Sequence, residues 1–543
     1  MGHRGGFNFG GAPASLPGIP AGQPPTPIDP KHFRGFSYLL GAPEDAQRTT
    51  LGADPAGARQ VLQALYSLLP LAPNVDNPRI PSGYTYLLQF VAHDLVDTTV
   101  PFWAAAEAGV PSRNMRDEAL ALDTLYGGGP TVCPIAFESA GQMVDYRTQL
   151  RLGQIGDAAA LGLTAGACPF RDIARLKLDK ALPPSNFEDA SQVYVADVRN
   201  DDNTFLSQLV VLFSVVHNAI ARKLAHLGPQ ACFAHTSTAM LRMYHAIIRN
   251  DLMPLLLHKQ VYDILNARSA GSEDWLWRGE GIPLEFSHGA FRVGHAMVRP
   301  FYKFNDGNTF PIAGVLGGPV VGDLVRDPLP STWIVEWSRF FALGGTPNYS
   351  LKLAIHQQLP LDFAGLFTPI AANSPDHLSI RDWLSAANAR MWRLDALIQA
   401  ASKHYPGLSF LDGNAIGIWL DGLVRTSLGT AAAKAIVTDN ASLLRTDLPL
   451  PLYILLESAL DPTIGGAHMG PLGSVIVGET IFRRLATEEE KIAGLTPAAR
   501  DALGAGWDKI QSVGSMPDLI RLAEDWGGLA DCPRIPFIAA STT

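Results

Sequence analysis

Cysteine is scarce in this chain. Only Cys133, Cys168, Cys232 and Cys532 occur in 543 residues. None has the paired spacing of a zinc site, and the absence of CxxCH argues against covalent c-type haem attachment. Four scattered cysteines in so long a chain fit a reducing compartment with free thiols, with two bridges as the alternative. Charge is also sparse, at 17% Asp, Glu, Lys and Arg with a net value of −9. No strongly basic stretch exists to neutralise phosphates, which argues against a nucleic-acid partner. No uninterrupted apolar run reaches spanning length. The stretch Met1-Gly2-His3-Arg4-Gly5-Gly6 lacks the apolar h-region of a Sec signal peptide. The expectation is a cytoplasmic protein without a membrane span, with non-Sec export as the alternative.

Hydrophobic residues make up 47% of the chain, enough for a sizeable core. Residues 1–33 are rich in Gly and Pro and read as an extended arm. Beyond them the apolar spacing is mostly helical. It predicts helices over Ala58–Leu69, Tyr84–Val96, Phe205–Leu227, Thr236–Ile248, Ala386–Ser402 and Gly470–Leu485. Strand-like alternation is sparse and no 20–50-residue repeat is visible. Loops fall at Tyr126–Pro130, Leu182–Pro184 and Ile464–Gly466. The expected architecture is all-α: one large helical domain over 34–530 around a buried cofactor, then a short tail over 531–543.

Two histidine segments carry the chemistry. The first is Gln89-Phe90-Val91-Ala92-His93-Asp94. The second is Phe291-Arg292-Val293-Gly294-His295, running on to Arg299-Pro300-Phe301. Between them lies Asp197-Val198-Arg199-Asn200-Asp201-Asp202-Asn203. On a helix Gln89 and His93 share a face, and Asp94 points about 100° away. Taken alone, His93 is one of fourteen histidines and reads most simply as a hydrogen-bonded core residue.

Taken in order, these segments resemble the animal haem peroxidase family, the peroxidase–cyclooxygenase superfamily, and especially its bacterial members. The resemblance spans about 33–530. It includes the long helix bearing His217-Asn218, Leu125-Tyr126-Gly127 and Gly470-Pro471-Leu472-Gly473. It implies haem b and a reaction in which hydrogen peroxide is reduced and a small organic donor or halide is oxidised. His93 is then the distal acid–base residue, Gln89 a distal pocket residue, Arg199 the distal arginine and His295 the iron ligand. A histidine close to neutral pKa is a suitable proton relay, and a fixed guanidinium favours charge separation across a breaking O–O bond.

The family's partner for the proximal histidine falls at Asp382, where an aspartate replaces asparagine; Arg381-Asp382 reads equally as a surface pair. Arg292 resembles a propionate-contacting arginine, or is a surface charge. It stands where related dioxygenases carry a radical-forming tyrosine, which counts against the alternative of a lipid or secondary-metabolite (di)oxygenase. Ala92 cannot form the first haem ester of the family, and Asp202 is one methylene shorter than the glutamate of the second. With Asn203 at the position of the family's sulfonium methionine, the pattern argues against efficient chloride oxidation. The resemblance also implies Ca²⁺ at Asp94, Asp117 and Asp123, with Ala121 where the family has a carboxylate; an ordinary acidic loop is the alternative. No oligomeric state follows.

Overall fold

The computed structural model describes residues 35–98, 113–116, 120–139, 147–163, 166–175, 193–317, 328–355, 357–358, 377–530, 532 and 535–538. The N-terminal arm over 1–33, the loop Leu182–Pro184 and Asp117 lie outside those residues. What is described is mainly helical, as the periodicity requires. Strands form only two-stranded pairs among the described residues. The hairpin Phe301–Asn305 with Asn308–Pro311 turns at Asp306-Gly307, with a register shift between Lys303 and Asn305; Asp-Gly is suited to tight hairpin turns.

The principal helices are α1 (Pro55–Leu68), α2 (Gly83–Leu95), α3 (Thr204–Leu224), α4 (Pro229–Ile247), α5 (Leu378–Asn388), α6 (Leu394–His404), α7 (Leu450–Leu460), α8 (Pro471–Ala493) and α9 (Met516–Gly527). Their starts are set by local chemistry. Asp54 caps α1 by accepting from Gly57 N, with Pro55 in the first turn. Asn203 caps α3 through Leu206 N at 2.9 Å. The start of α8 is capped from a neighbouring helix. The Glu457 carboxylate on α7 accepts from Leu472 N at 3.0 Å and Gly473 N at 3.4 Å. Burial raises the Glu457 pKa to about 7.

α3 is the axle of the molecule. It packs against α2, α4 and α9, and its residues from Thr204 to Ala221 are buried. The segment Thr204–Leu227 is long and apolar enough to cross a membrane by length and composition, yet it is buried inside the fold. Its polar residues explain why it reads as a core helix. Asn218 uses both side-chain groups on Leu150, accepting from N at 2.7 Å and donating to O at 2.8 Å. His217 lies between the Tyr126 hydroxyl and the Thr148 carbonyl, each 2.9 Å away.

Three expectations need correction. The single helix over Ala386–Ser402 is two, α5 and α6, broken where Arg390 takes a φ of +50°. The buried Glu285 carboxylate accepts from Trp392 N at 3.1 Å and Leu39 N at 2.9 Å, drawing the chain out of helical register. The cysteines are not all free: Cys168 and Cys532 are disulfide-bonded, while Cys133 and Cys232 are free. Within the segment assigned to a tail after 530, the described residues Cys532, Ile535 and Phe537 are buried and Phe537 O accepts from Trp337 N at 2.9 Å.

Candidate active site

α2 places Gln89, His93 and Asp94 as its helical spacing predicts, and all three are buried. Gln89 Oε1 accepts from Asn203 Nδ2 at 3.0 Å, which fixes the amide next to the start of α3. Arg199 sits in the 3₁₀ turn Val198–Asp201, whose first amide is capped by Asp197. The Asp197 carboxylate also grips the Arg199 guanidinium, with Nε to Oδ1 at 2.9 Å and Nη2 to Oδ2 at 2.6 Å. Nη2 also donates to His93 O at 3.0 Å, and Nη1 to Val96 O at 2.7 Å. The structure therefore brings Arg199 to His93, through the main-chain carbonyl. A guanidinium has five N–H donors. Four are used by these acceptors, and Nη1 also lies 3.7 Å from Asp97 Oδ1. Arg199 can thus act on an anion through its field or by exchanging one of these partners.

The charges are stable at neutral pH. Burial disfavours an ionised Asp197, but Arg199, His93 and Arg116 outweigh it and hold the carboxyl well below the usual range. Burial likewise opposes the charge on Arg199, and Asp197 more than restores it. Asp202 ends the same turn, buried, its N–H donating to Arg199 O at 3.0 Å.

His295 lies on the 3₁₀ helix Ala290–Met297, facing α5. Its Nδ1 is 2.6 Å from Asp382 Oδ2, and Arg292 Nη1 donates to Asp382 Oδ1 at 3.1 Å. Asp382 is therefore the partner of the second histidine and not one half of a surface pair. Burial works against its charge, yet His295 and Arg292 hold its pKa below the usual range. Burial pushes the His295 pKa down despite that carboxylate. An anionic Asp382 can only accept, so the proton is on Nδ1 and the lone pair on Nε2. That is the tautomer a metal-ligating imidazole requires. Arg292, assigned to a propionate by the resemblance, also holds Asp382 through Nη1.

Of the acidic residues assigned to calcium, Asp94 and Asp123 are described, and each has partners within the protein. Asp94 accepts from Leu122 N at 3.0 Å and Thr124 N at 3.1 Å. Leu122 adopts a φ of +57°, a left-handed conformation that a leucine adopts only when held there. Asp123 faces Arg116, with Nη1 to Oδ2 at 3.4 Å. Arg116 and Asp197 are the functional-site residues that sequence reasoning missed. The available signal was the Asp-x-Arg spacing of Asp197 and Arg199, which suits a carboxylate that caps a turn and holds its arginine.

The cleft beside His295 is lined by Tyr66, Arg292, Asp382, Trp383, Leu452 and Leu455 among others, and not by His93 or Arg199. Its cavity volume is about 30 Å³, against 300–1,000 Å³ for pockets that hold drug-sized ligands. α2 packs directly on the His295 turn, and a Cβ on Gly294 would lie 3.0 Å from Leu88 Cδ2. The donor chemistry of His295 and Asp382 fits haem.

The animal haem peroxidase family model matches residues 164–316. Over those residues the chain is similar to the animal haem peroxidase family. The segment contains Arg199, Asp202, Arg292 and His295, whereas Gln89, His93, Asp94 and Asp382 lie outside it. No curated protein sequence matches the chain. Solved structures of similar fold include peroxidase A from Dictyostelium discoideum, at 13% identity and a TM-score of 0.48, covering 92% of this chain and 96% of that one. The fatty acid alpha-dioxygenase of Oryza sativa aligns at 14% identity and a TM-score of 0.49, covering 93% and 87%. That of Arabidopsis thaliana aligns at 14% identity and 0.46, covering 93% and 84%. The family match supports a haem-using oxidoreductase.

Proposed function

We propose that this chain binds haem b through His295 and reduces hydrogen peroxide at the expense of a small organic donor or halide. The observation that carries the reading is the Arg292–Asp382–His295 chain, which sets the proton of a neutral His295 on Nδ1, the tautomer in which Nε2 can ligate iron. Haem, when bound, supplies the electrons that cleave the O–O bond and recovers them from the donor. His93 takes the proton from one peroxide oxygen and returns it to the other, which releases the first water; two electrons and two further protons, both from the donor, complete the conversion of one peroxide to two waters. Arg199, held protonated by Asp197, lowers the energy of negative charge developing near His93. An anionic Asp382 strengthens the imidazole as a donor and favours the oxidised metal.

The test is an absorption spectrum and a turnover assay on the haem-supplemented protein. A Soret band that vanishes in His295→Ala is expected. His93→Ala is expected to keep the band and lose about 10²–10⁴-fold in peroxide turnover. Unchanged turnover in His93→Ala, or a protein that stays colourless with haem, defeats the reading. Oxygen uptake with a fatty acid and no added peroxide replaces it with a dioxygenase.

A further inference from the structure

The environment of Asp94 is built for hydrogen-bond donors and already contains a cation. Both carboxylate oxygens receive main-chain N–H groups, from Leu122 and Thr124. A Ca²⁺ ion needs 6–8 oxygens turned toward it. Close by, the Arg116 side chain is only 10% exposed and carries a fixed positive charge between two carboxylates. Its Nη1 lies 3.4 Å from Asp123 and its Nη2 donates to Asp197. Its Nε donates to His93 O at 2.9 Å. The residue is itself anchored, since Arg116 N donates to Asn114 Oδ1 at 3.2 Å, and Asn114 Nδ2 donates to Leu95 O at 3.0 Å.

We propose that Arg116 is a positioning residue for the His93–Arg199 pair and takes the place of the calcium ion that the family resemblance implies. Two guanidiniums, Arg116 and Arg199, converge on the same two acceptors, the His93 carbonyl and the Asp197 carboxylate. The carboxylate between them offsets their repulsion. The result ties the end of α2, the turn before Tyr126 and the turn bearing Arg199 into one unit. A divalent ion bound at Asp94 would have to displace amide donors and sit beside a buried like charge, which is costly at low local dielectric. The internal cation makes the distal geometry independent of metal supply.

This inference rests on the proposed peroxidase reading only for its catalytic consequence, and the experiment separates the two. Purified wild-type protein is expected to contain no stoichiometric calcium by metal analysis. It should give no heat on titration with CaCl₂ to about 1 mM, the weak end of protein calcium affinities, and melt at the same temperature in EGTA as in CaCl₂. Arg116→Ala should melt lower. In the haem-loaded variant, cyanide association, which needs a correctly placed distal base, should slow about 10-fold or more. Millimolar guanidinium should restore part of that loss. Arg116→Lys, which keeps the charge and loses the fork, should fall between the two and remains a test if the alanine variant does not fold. One calcium per wild-type chain, or a melting temperature that drops in EGTA, overturns the proposal, as does an Arg116→Ala variant with wild-type cyanide kinetics. A colourless protein removes the haem reading, while the calcium and melting measurements still decide what Arg116 replaces.

Discussion

At the scale of single residues, the decisive group is Asp382. It is buried, anionic and shared between His295 and Arg292. Asp382→Ala is expected to weaken haem retention about 10–100-fold, read by haem titration of the refolded or as-purified protein. Asp382→Asn keeps an acceptor and removes the charge, so its haem should reduce at a higher potential than wild type in a redox titration; an unchanged potential excludes imidazolate character at His295. These side chains were legible in the sequence because motif spacing constrains them: four residues place Gln89 and His93 on one helical face, and Phe-Arg-x-Gly-His marks His295. Arg116 was not legible. Its role comes from a carbonyl on α2 and a carboxylate 81 residues away, and no local pattern records such a meeting. The hydrogen bonds of Asp94 were not legible for the same reason: its donors are the main-chain amides of Leu122 and Thr124.

At the scale of elements, the long helices were readable from apolar periodicity, and their caps from Asp54 and Asn203. The break between α5 and α6 was not. It depends on Glu285, more than a hundred residues earlier, reaching Trp392 N. α3 illustrates how a helix of membrane-like composition stays in a globular core: its polar groups have specific partners. Asn218→Ala removes both bonds to Leu150 and leaves its amide and carbonyl to find others. Destabilisation of about 1–3 kcal/mol is expected in chemical denaturation; a loss near zero means that segment finds other partners. The α3–α9 contact is equally specific. A Cβ on Gly527 would lie 2.5 Å from Val215 Cγ1. Gly527→Ala, far from the candidate site, should cost about 1–3 kcal/mol through overpacking and leave haem binding unchanged.

At the scale of the whole molecule, buried histidines set the acid limb of stability. Burial pushes the His217 pKa down to about 4, from an ordinary value of about 6.5 in the unfolded chain. The unfolded state therefore binds the extra proton first, and stability is lost as pH falls from about 6.5 toward 4, by at most about 3 kcal/mol for this residue. Denaturant midpoints at pH 7 and pH 5 should differ more in wild type than in His217→Gln, and equal differences remove His217 as a contributor. The Cys168–Cys532 bond acts on the same scale, joining positions 364 residues apart in the chain. Cys532→Ser should cost about 2–4 kcal/mol and lower the melting temperature, whereas a reductant-insensitive wild type excludes that contribution. The bond also closes most of the polypeptide into a covalent ring. A single protease nick anywhere between those two sulfurs would yield one band without reductant and two with it, so the protein can be cut within the ring without coming apart.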